Sequence, residues 1–524
     1  MYAVDFVAGA EFRNDDLTEN RYILHSHGGP TGDHHMGHAV SRVTGSGQSV
    51  NLRSWKSSAG GLRVELSGAD VAQFVAHAIP RGMVAQLKIG FQGMEFSEWG
   101  AVGLYQFRGL SGSRNSWSMD FNDALSALQS IPGAHLSTQF MKEAGSTTTL
   151  TGDWYRTAVI MDVDSTADFE RDTTVDALGL LYCQPTTGDP FYLKWDSKSE
   201  GVSPYFYGAL SGGGVFNAIG TNRVDMVTGD TITSVSYVND IVPDVMYMML
   251  FGGLAGASTM PTNWNMGINF HGLGHSSDLN EWRARWLLYT DFTADFLTHA
   301  PLEDPYRGLE DFLSKFGSWL VIKEGRLSWR FVQAIVPYGD HGAFSISETH
   351  EITDQDIAGE ETYDLYHSDC PVEYYSVRYA GRPTYWRDGP AETSTGTDPA
   401  AFRLEHESST VVYDEGTVTT NRDNASANIR QRLTPWYTRI PDSMKLVLAG
   451  WKFADLVPGD VVSLKSDYIY NMINGMTLGL VGSGTSGRRT HDGTLYMVTA
   501  VNVDWDGFTV NVELSTPPYS EKRF

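Results

Sequence analysis

Histidines and carboxylates are the residues of this chain whose types and spacing could do chemistry. His25, His27, His34, His35 and His38 gather near the N-terminus with Asp33, a donor set of imidazole and carboxylate that suits Zn²⁺ or Ni²⁺. Gly28-Gly29-Pro30 and Gly32 interrupt the group, so it reads as a loop without the regular spacing of a preorganised site. His271 and His275 stand four apart, but Gly272 and Gly274 between them disfavour a helical ligand pair. The spacing Asp162-x-Asp164-x-x-x-Asp168 is like a calcium loop with Thr166 in place of the third acid, and it lacks the Gly and the bidentate Glu. Gly482, Gly484 and Gly487 match G-x-G-x-x-G, yet residues 488–493 are poor material for the helix a nucleotide site needs. Asp278 with Glu281 is the kind of acid pair a glycosidase uses, in a chain whose 63 acids make such pairs common. No G-x-S-x-G, G-K-S/T or H-E-x-x-H occurs. No catalytic residue, cofactor-binding residue or metal ligand is therefore assigned. The chain reads as not an enzyme, with room for a lytic activity only in 131–300.

Positioning elements dominate instead. At 524 residues the chain is too long for one core and divides into several domains. Gly is abundant at 54, aromatics reach 12% and charged residues only 19%, which suits a β-rich fold with many turns and argues against disorder. Net charge is −25, with 38 Lys and Arg, and this opposes binding to a nucleic acid backbone. Cys183 and Cys370 are the only cysteines, too few for a disulfide framework or an all-cysteine cluster. Met1 to Ala10 lacks a basic n-region. The run Val245 to Ala257 is shorter than the roughly 20 residues of a membrane span, so no stable membrane span is expected.

Alternation and turn chemistry place the elements. Leu62 to Ser67 and Val84 to Phe91 alternate as strands, the latter with Leu87, Ile89 and Phe91 on one face. Between them Asp70 is expected to cap a helix through His77 that Pro80 and Gly82 end. Leu104 to Leu110 and Trp117 to Phe121 complete an antiparallel sheet, and Asp123 starts a helix through Leu128. Thr148–Asp162 and Ala177–Tyr182 read as strands; 279–288 and 291–299 read as helices. Leu309, Phe312, Leu313 and Phe316 share one helical face that Gly317 ends. A Glu324-Gly325 hairpin turn follows. Tyr374 to Tyr379 is a strand, 382–402 a loop, 423–432 a helix, and 474–492 a Gly-rich insertion. Near the end, Pro458 presets a turn, Gly459 supplies its permissive position and Asp460 can bond nearby backbone. Val501, Val503 and Trp505, then Phe508, Val510, Val512 and Leu514, give each arm of a closing hairpin one apolar face.

The wording of these segments goes further. "L-x-PGD-V-V-x-L" at 456–464, followed by "Y-x-V-T-x-V-x-x-D-W-D-x-x-T-V-x-V-x-L" at 496–514, resembles the final barrel of tail-tip (baseplate) hub proteins of tailed bacteriophages. "R-G-M-x-x-x-L-K-I-G-F" at 81–91, with "F-x-G" and the strand ending in Asp123, resembles their first barrel. "G-x-x-L-V-x-x-E-G-x-L-x-x-R" at 317–330 resembles the module between the two. The resemblance covers about 50–130 and 300–524, and its strength lies in the order of the motifs.

It implies a β-rich α+β, multidomain chain: a first barrel with an N-terminal arm (1–130), a mixed α/β middle (131–300), a helix–hairpin module (301–350) and a second barrel (351–524). Three chains would then present six near-equivalent units as a pseudo-sixfold trimer. The implied role is a structural virion protein of the tail tip, without cofactor. Its partners would be itself, a distal tail or tail-tube protein above and a central spike or fibre below, with a tape-measure protein as a further candidate. DNA would pass through without specific binding. Arg382, Arg488, Arg489 and His491 are the candidate interface residues, and Pro458, Gly459 and Asp460 a structural turn. The alternatives are a β-rich glycan hydrolase or a receptor-binding adhesin.

Overall fold

The computed structural model describes residues 2–7, 22–26, 35–45, 47–52, 54–79, 81–91, 93–95, 98–114, 116–123, 125, 146–169, 179–208, 210–211, 215–216, 218–219, 224–251, 283, 294–298, 305–332, 349–358, 364–367, 372–378, 392–395, 402–407, 436, 442–466, 469 and 491–516. Among them β-structure prevails, as the Gly-rich, aromatic composition predicts.

The N-terminal part forms β1 (Tyr2–Val7), β2 (Tyr22–His25), β3 (His35–Met36), β4 (Val40–Gly45), β5 (Gln48–Val50), β6 (Ser57–Ala59), β7 (Leu62–Leu66), α1 (Ala69–Ala78), β8 (Val84–Ile89), β9 (Gly100–Ser113) and β10 (Ser116–Asp123). Eight of these strands make one sheet in the order β3-β2-β1-β8-β9-β10-β7-β4. Its two edge strands are almost consecutive in sequence, so the sheet must curl. The edges meet at Ala39, whose N–H donates to His25 O (2.9 Å) and whose carbonyl accepts from Ser67 N–H (3.0 Å). Helix α1 starts after Gly68, without a side-chain cap; Asp70 lies in its first turn and is not the cap expected. Phe91 does not continue the apolar face of β8, because the strand ends at Ile89 and the ring is exposed.

The middle region folds as a second curled sheet: β11 (Thr147–Thr149), β12 (Ile160–Asp162), β13 (Gly179–Gln184), β14 (Phe191–Ser199), β15 (Tyr205–Gly208), the short β16 (Leu210–Ser211), β17 (Val215–Phe216) and β18 (Ala218–Ile219), β19 (Thr231–Asp240) and β20 (Ala294–Thr298). The order is β11-β19-β13-β14-β15-β12, and a bridge between Leu150 and Val163 joins the two edges. Trp154, Phe191, Leu193, Trp195, Phe206 and Ile232 fill a core of its own. Cys183 is buried there, and loss of hydration pushes its thiol well above the ordinary range. Residues 294–298 are a strand paired with β19, not the helix expected. Val242–Phe251 is helix α2, and no helix among the described residues is long and apolar enough to cross a membrane.

Helix α3 (Pro305–Lys315), β21 (Ser318–Lys323) and β22 (Arg326–Phe331) make a helix–hairpin module, with the expected face of Leu309, Phe312, Leu313 and Phe316 buried. The C-terminal part comprises β23 (Thr349–Thr353), β24 (Asp364–His367), β25 (Val372–Arg378), β26 (Glu392–Thr395), β27 (Phe402–Glu407), β28 (Asp442–Ala449), β29 (Val461–Ser466), β30 (His491–Asp504) and β31 (Thr509–Thr516). The large sheet runs β23-β29-β30-β31-β28-β24, and the chain just after β23 closes it against β28: Ala449 N–H donates to Asp356 O, and Ala358 N–H to Val447 O. β25 does not open this sheet as expected; it sits in a separate three-stranded sheet, β26-β25-β27, which threads strands through the stretch read as a 382–402 loop. The expected helices at 279–288 (apart from helical Arg283) and 423–432 lie outside the described residues.

The two large sheets share one connectivity. β4-β7-β10-β9-β8 in the first corresponds to β24-β28-β31-β30-β29 in the second. In each, a six-residue strand leads to a 14-residue strand that hairpins into an eight-residue one. Phe107 exchanges backbone bonds with Gly82 and Met83; Val498 exchanges the same bonds with Gly459 and Asp460. One residue later each long strand bulges, at Arg108 and at Thr499. One apolar core runs through both sheets, from Leu24, Val64 and Phe107 to Leu446, Val498 and Leu514. At roughly 1.5–3 kcal/mol for each buried large apolar side chain, that shared core binds the sheets into a unit.

Candidate functional site at the junction of the two sheets

The Pro458-Gly459-Asp460 turn is the point where sheet, module and sheet converge. Locally it behaves as its residue types dictate. Asp460 N–H donates to Val457 O at 3.0 Å, and Asp460 Oδ2 accepts from Val457 N–H at 3.2 Å. Gly459 takes φ +102°, a region that side chains resist.

Its tertiary partners come from the module. Trp319 Nε1 donates to Pro458 O at 3.1 Å, and Arg330 Nε donates to Asp460 Oδ1 at 3.1 Å. Lys323 Nζ reaches Asp460 Oδ2 at 3.3 Å. The Arg330 and Asp460 side chains are 4% and 1% exposed, so the carboxylate and its cations form a buried, hydrogen-bonded cluster. The module approaches closely enough that a Cβ on Gly459 would meet Trp319 Cζ2 at 2.8 Å and Arg330 Cβ at 2.9 Å.

The N-terminal region grips the same module from the other side. Trp55 stacks on Trp319, with centroids 5.8 Å apart and planes 14° apart. Gln48 Oε1 accepts from Ile322 N–H at 3.0 Å, and its Nε2 donates to Ile322 O at 2.9 Å. Lys56 pairs with Asp311 of α3. Gln86 donates to Gly325 O at the hairpin turn, where Glu324 and Gly325 both have positive φ. β5 also pairs directly with β30, Ser49 opposite Ala500 and Gln48 opposite Val501. Beside it Trp505 Nε1 donates to Gly45 O at 3.2 Å, and Arg42 pairs with Asp506.

The crevice these elements leave, lined by Gln48, Tyr105, Glu324, Val457 and Trp505, holds about 20 Å³, room for about one water. Asp460 does not line this crevice; buried and paired with Arg330, Lys323 and the Val457 N–H, it holds chain segments together. At the far end of the second sheet, burial raises Asp356, but Thr353 N–H and hydroxyl bonds and the Lys452 ammonium outweigh it and hold the carboxyl below its ordinary range. Burial alone pushes Glu513 on β31 up.

Of the residues singled out in the sequence, Pro458, Gly459 and Asp460 form the turn as expected, in a tertiary grip that their local pattern does not reveal. His491 is not in an insertion loop: it is the first residue of β30, in register with Ser466. Arg382, Arg488 and Arg489 lie outside the described residues, as do His27, Asp33, His34, His271, His275, Asp278, Glu281 and the 482–487 glycines. His25 is a buried strand residue rather than a loop ligand, and no group of three or more metal-ligating side chains occurs among the described residues. Asp162 and Asp164 are exposed beside the β11–β12 joint. Trp505 is core, Trp451 half-buried against it, and Phe508 half-exposed at the hairpin tip with φ +53°. Sequence reasoning missed Gln48, Trp55, Trp319, Lys323 and Arg330 as junction residues. A tryptophan at 319 and an arginine at 330, on the two strands of a short hairpin, were the available signal.

No family model and no curated protein matches the chain. Solved structures do, among them proteins of phage tails, baseplates and a secretion system. The 43 kDa tail protein of prophage MuSo2 from Shewanella oneidensis shares 11% identity over 98% of each chain, at a TM-score of 0.36. An E. coli protein described as a type VI secretion system component with structural similarity to T4 tail proteins gp27 and gp5 shares 8%, over 92% of this chain and 75% of its own, at 0.30. A phage p2 virion baseplate protein shares 8% over the whole of both chains, at 0.22.

Proposed function

We propose that this chain is a structural virion protein, the hub at the tail tip of a tailed phage or a related particle. The observation that carries the reading is the pair of curled sheets with one connectivity, fused through a common core and a clamped module. A chain built from two equivalent barrels is suited to present six near-equivalent units from three copies, matching a sixfold tube above to a threefold spike or fibre below. The motif order at 81–123, 317–330 and 456–514 supports the same reading.

In this reading the working parts are surfaces, and no reaction is assigned. The partners are two further copies of the chain, a distal tail or tail-tube protein, a central spike or fibre, and a tape-measure protein. The net charge of −25 fits a channel wall along which DNA passes without sticking. Arg382, Arg488, Arg489 and His491 remain the proposed contact residues, and 1–130, 131–300, 301–350 and 351–524 the proposed domains. The test is antibody labelling of the native particle viewed by electron microscopy. Label at the tail tip supports the hub; an accessible, unlabelled tip sinks it and brings forward a glycan hydrolase or adhesin.

A further inference from the structure

The equivalence of the two large sheets exposes one difference between them. In the second sheet, β29 covers only part of the long strand β30, and the remainder is covered by β5, paired at Ala500 and Val501. In the first sheet, β8 likewise covers only part of the long strand β9, from Gly100 to Gln106, and the backbone bonds to Gly82 and Met83 end at Phe107. Counting from the matching bulges at Arg108 and Thr499, Gly109 and Leu110 occupy the places of Ala500 and Val501. No strand covers that half-edge of β9 among the described residues. Arg108, Ser111, Gly112 and Ser113 are exposed along it.

The covering strand of the second sheet comes from the hairpin that follows β4. Its counterpart in the other sheet is whatever follows β24, and that is β25 with its antiparallel partner β26. The side of β25 away from β26, equivalent to the side β5 turns to β30, carries β27 in parallel register. β27 therefore presents the corresponding edge, running in the same direction as β25. None of the three strands pairs with either large sheet among the described residues.

We propose that β27 of one copy adds antiparallel to the open half-edge of β9, around Arg108–Ser113, in a second copy of this chain. The contact repeats between copies the hairpin-to-sheet contact made within each copy, and it is heterologous, one end of the chain meeting the other. Backbone groups of this half-edge, to which no strand pairs among the described residues, supply the affinity. Charge supplies direction. Arg108 and Arg81 are exposed at the start of the half-edge, and a Cβ on Gly109 would meet Arg81 Nε at 3.4 Å. Antiparallel addition brings the Glu405–Glu407 end of β27 to that start. The inference rests on the homo-oligomeric reading above and names the segments that would carry it.

The test is hydrogen exchange by mass spectrometry on the full-length chain, with size measured by light scattering over a concentration series. Amides of 108–113 and 402–407 are expected to become protected together as the oligomer forms. Arg108→Glu is expected to weaken association about tenfold with an unchanged circular dichroism spectrum, and Glu407→Lys in the same chain to restore it. An oligomer in which 108–113 still exchanges freely overturns strand addition while leaving oligomerisation intact. A chain that stays monomeric at every concentration, and in the assembled particle, overturns both.

Discussion

Arg330 and Asp460, 130 positions apart, meet at 3.1 Å with both side chains almost completely buried. The pair ties the second sheet to the hairpin module through a charge that water cannot reach. Removing Arg330 leaves the buried carboxylate with Lys323, so the loss should fall toward the lower end of the roughly 3–5 kcal/mol typical of a broken buried pair. Arg330→Met should therefore lower the stability of the full chain by about that amount in urea titration, and the double variant with Asp460→Asn should lose less than the sum of the two single changes. Additive losses would mean that the two groups act independently.

Gly459 tests the fit of the turn rather than its charge. Alanine there must adopt φ +102° and meet Trp319 and Arg330 at under 3 Å. A loss of about 1–3 kcal/mol is expected, with the near-ultraviolet tryptophan signal altered as Trp319 shifts. An unchanged signal and stability would show that the module docks more loosely than its contacts require.

Gln48 completes the hydrogen bonding of Ile322 with both ends of its amide. Gln48→Ala leaves the Ile322 N–H and carbonyl without those partners, at a cost of about 1–3 kcal/mol. Limited proteolysis should then cut first around β5 and β6, whose attachment to β30 depends on this corner. Cleavage elsewhere at an unchanged rate would contradict that dependence.

Glu513 supplies a pH signature. Burial places its folded pKa above the ordinary 4.5, so folding favours the protonated form. Its favourable contribution is complete below the ordinary value and is lost as pH rises through the shifted one. Glu513→Gln should therefore raise the denaturation midpoint at neutral pH, with the gain vanishing in acid. A gain that persisted in acid would point to packing instead of charge.

Much of this architecture was legible because it is local. Alternation in 62–66, 84–89 and 501–514 fixed strands and their buried faces, and the Pro-Gly-Asp and Glu-Gly pairs fixed turns, since each depends on residues within a few positions. The shared helix–hairpin pattern at 309–330 was equally readable. Where the pattern weakened, the reading failed: 294–298 is a strand because β19 offers it a ladder, and that partner is more than fifty positions away. The curled middle sheet was missed for the same reason. Its closure at Leu150 and Val163 is a pairing between edges, made by segments that are distant from the long strands β14 and β19 in sequence.

Composition and alternation by themselves determined a β-rich, turn-dense, acidic chain with strand-patterned pieces at 62–121 and 456–514 and a helix–hairpin pattern between them. Only the tertiary structure decided that those pieces share one core, that β5 crosses to complete the second sheet, and that Asp460 answers to Arg330 and Lys323. The physical reason is range. Backbone propensity and side-chain periodicity act over a turn or a strand, whereas edge pairing and buried charge pairing are chosen among distant segments by which of them can be desolvated together.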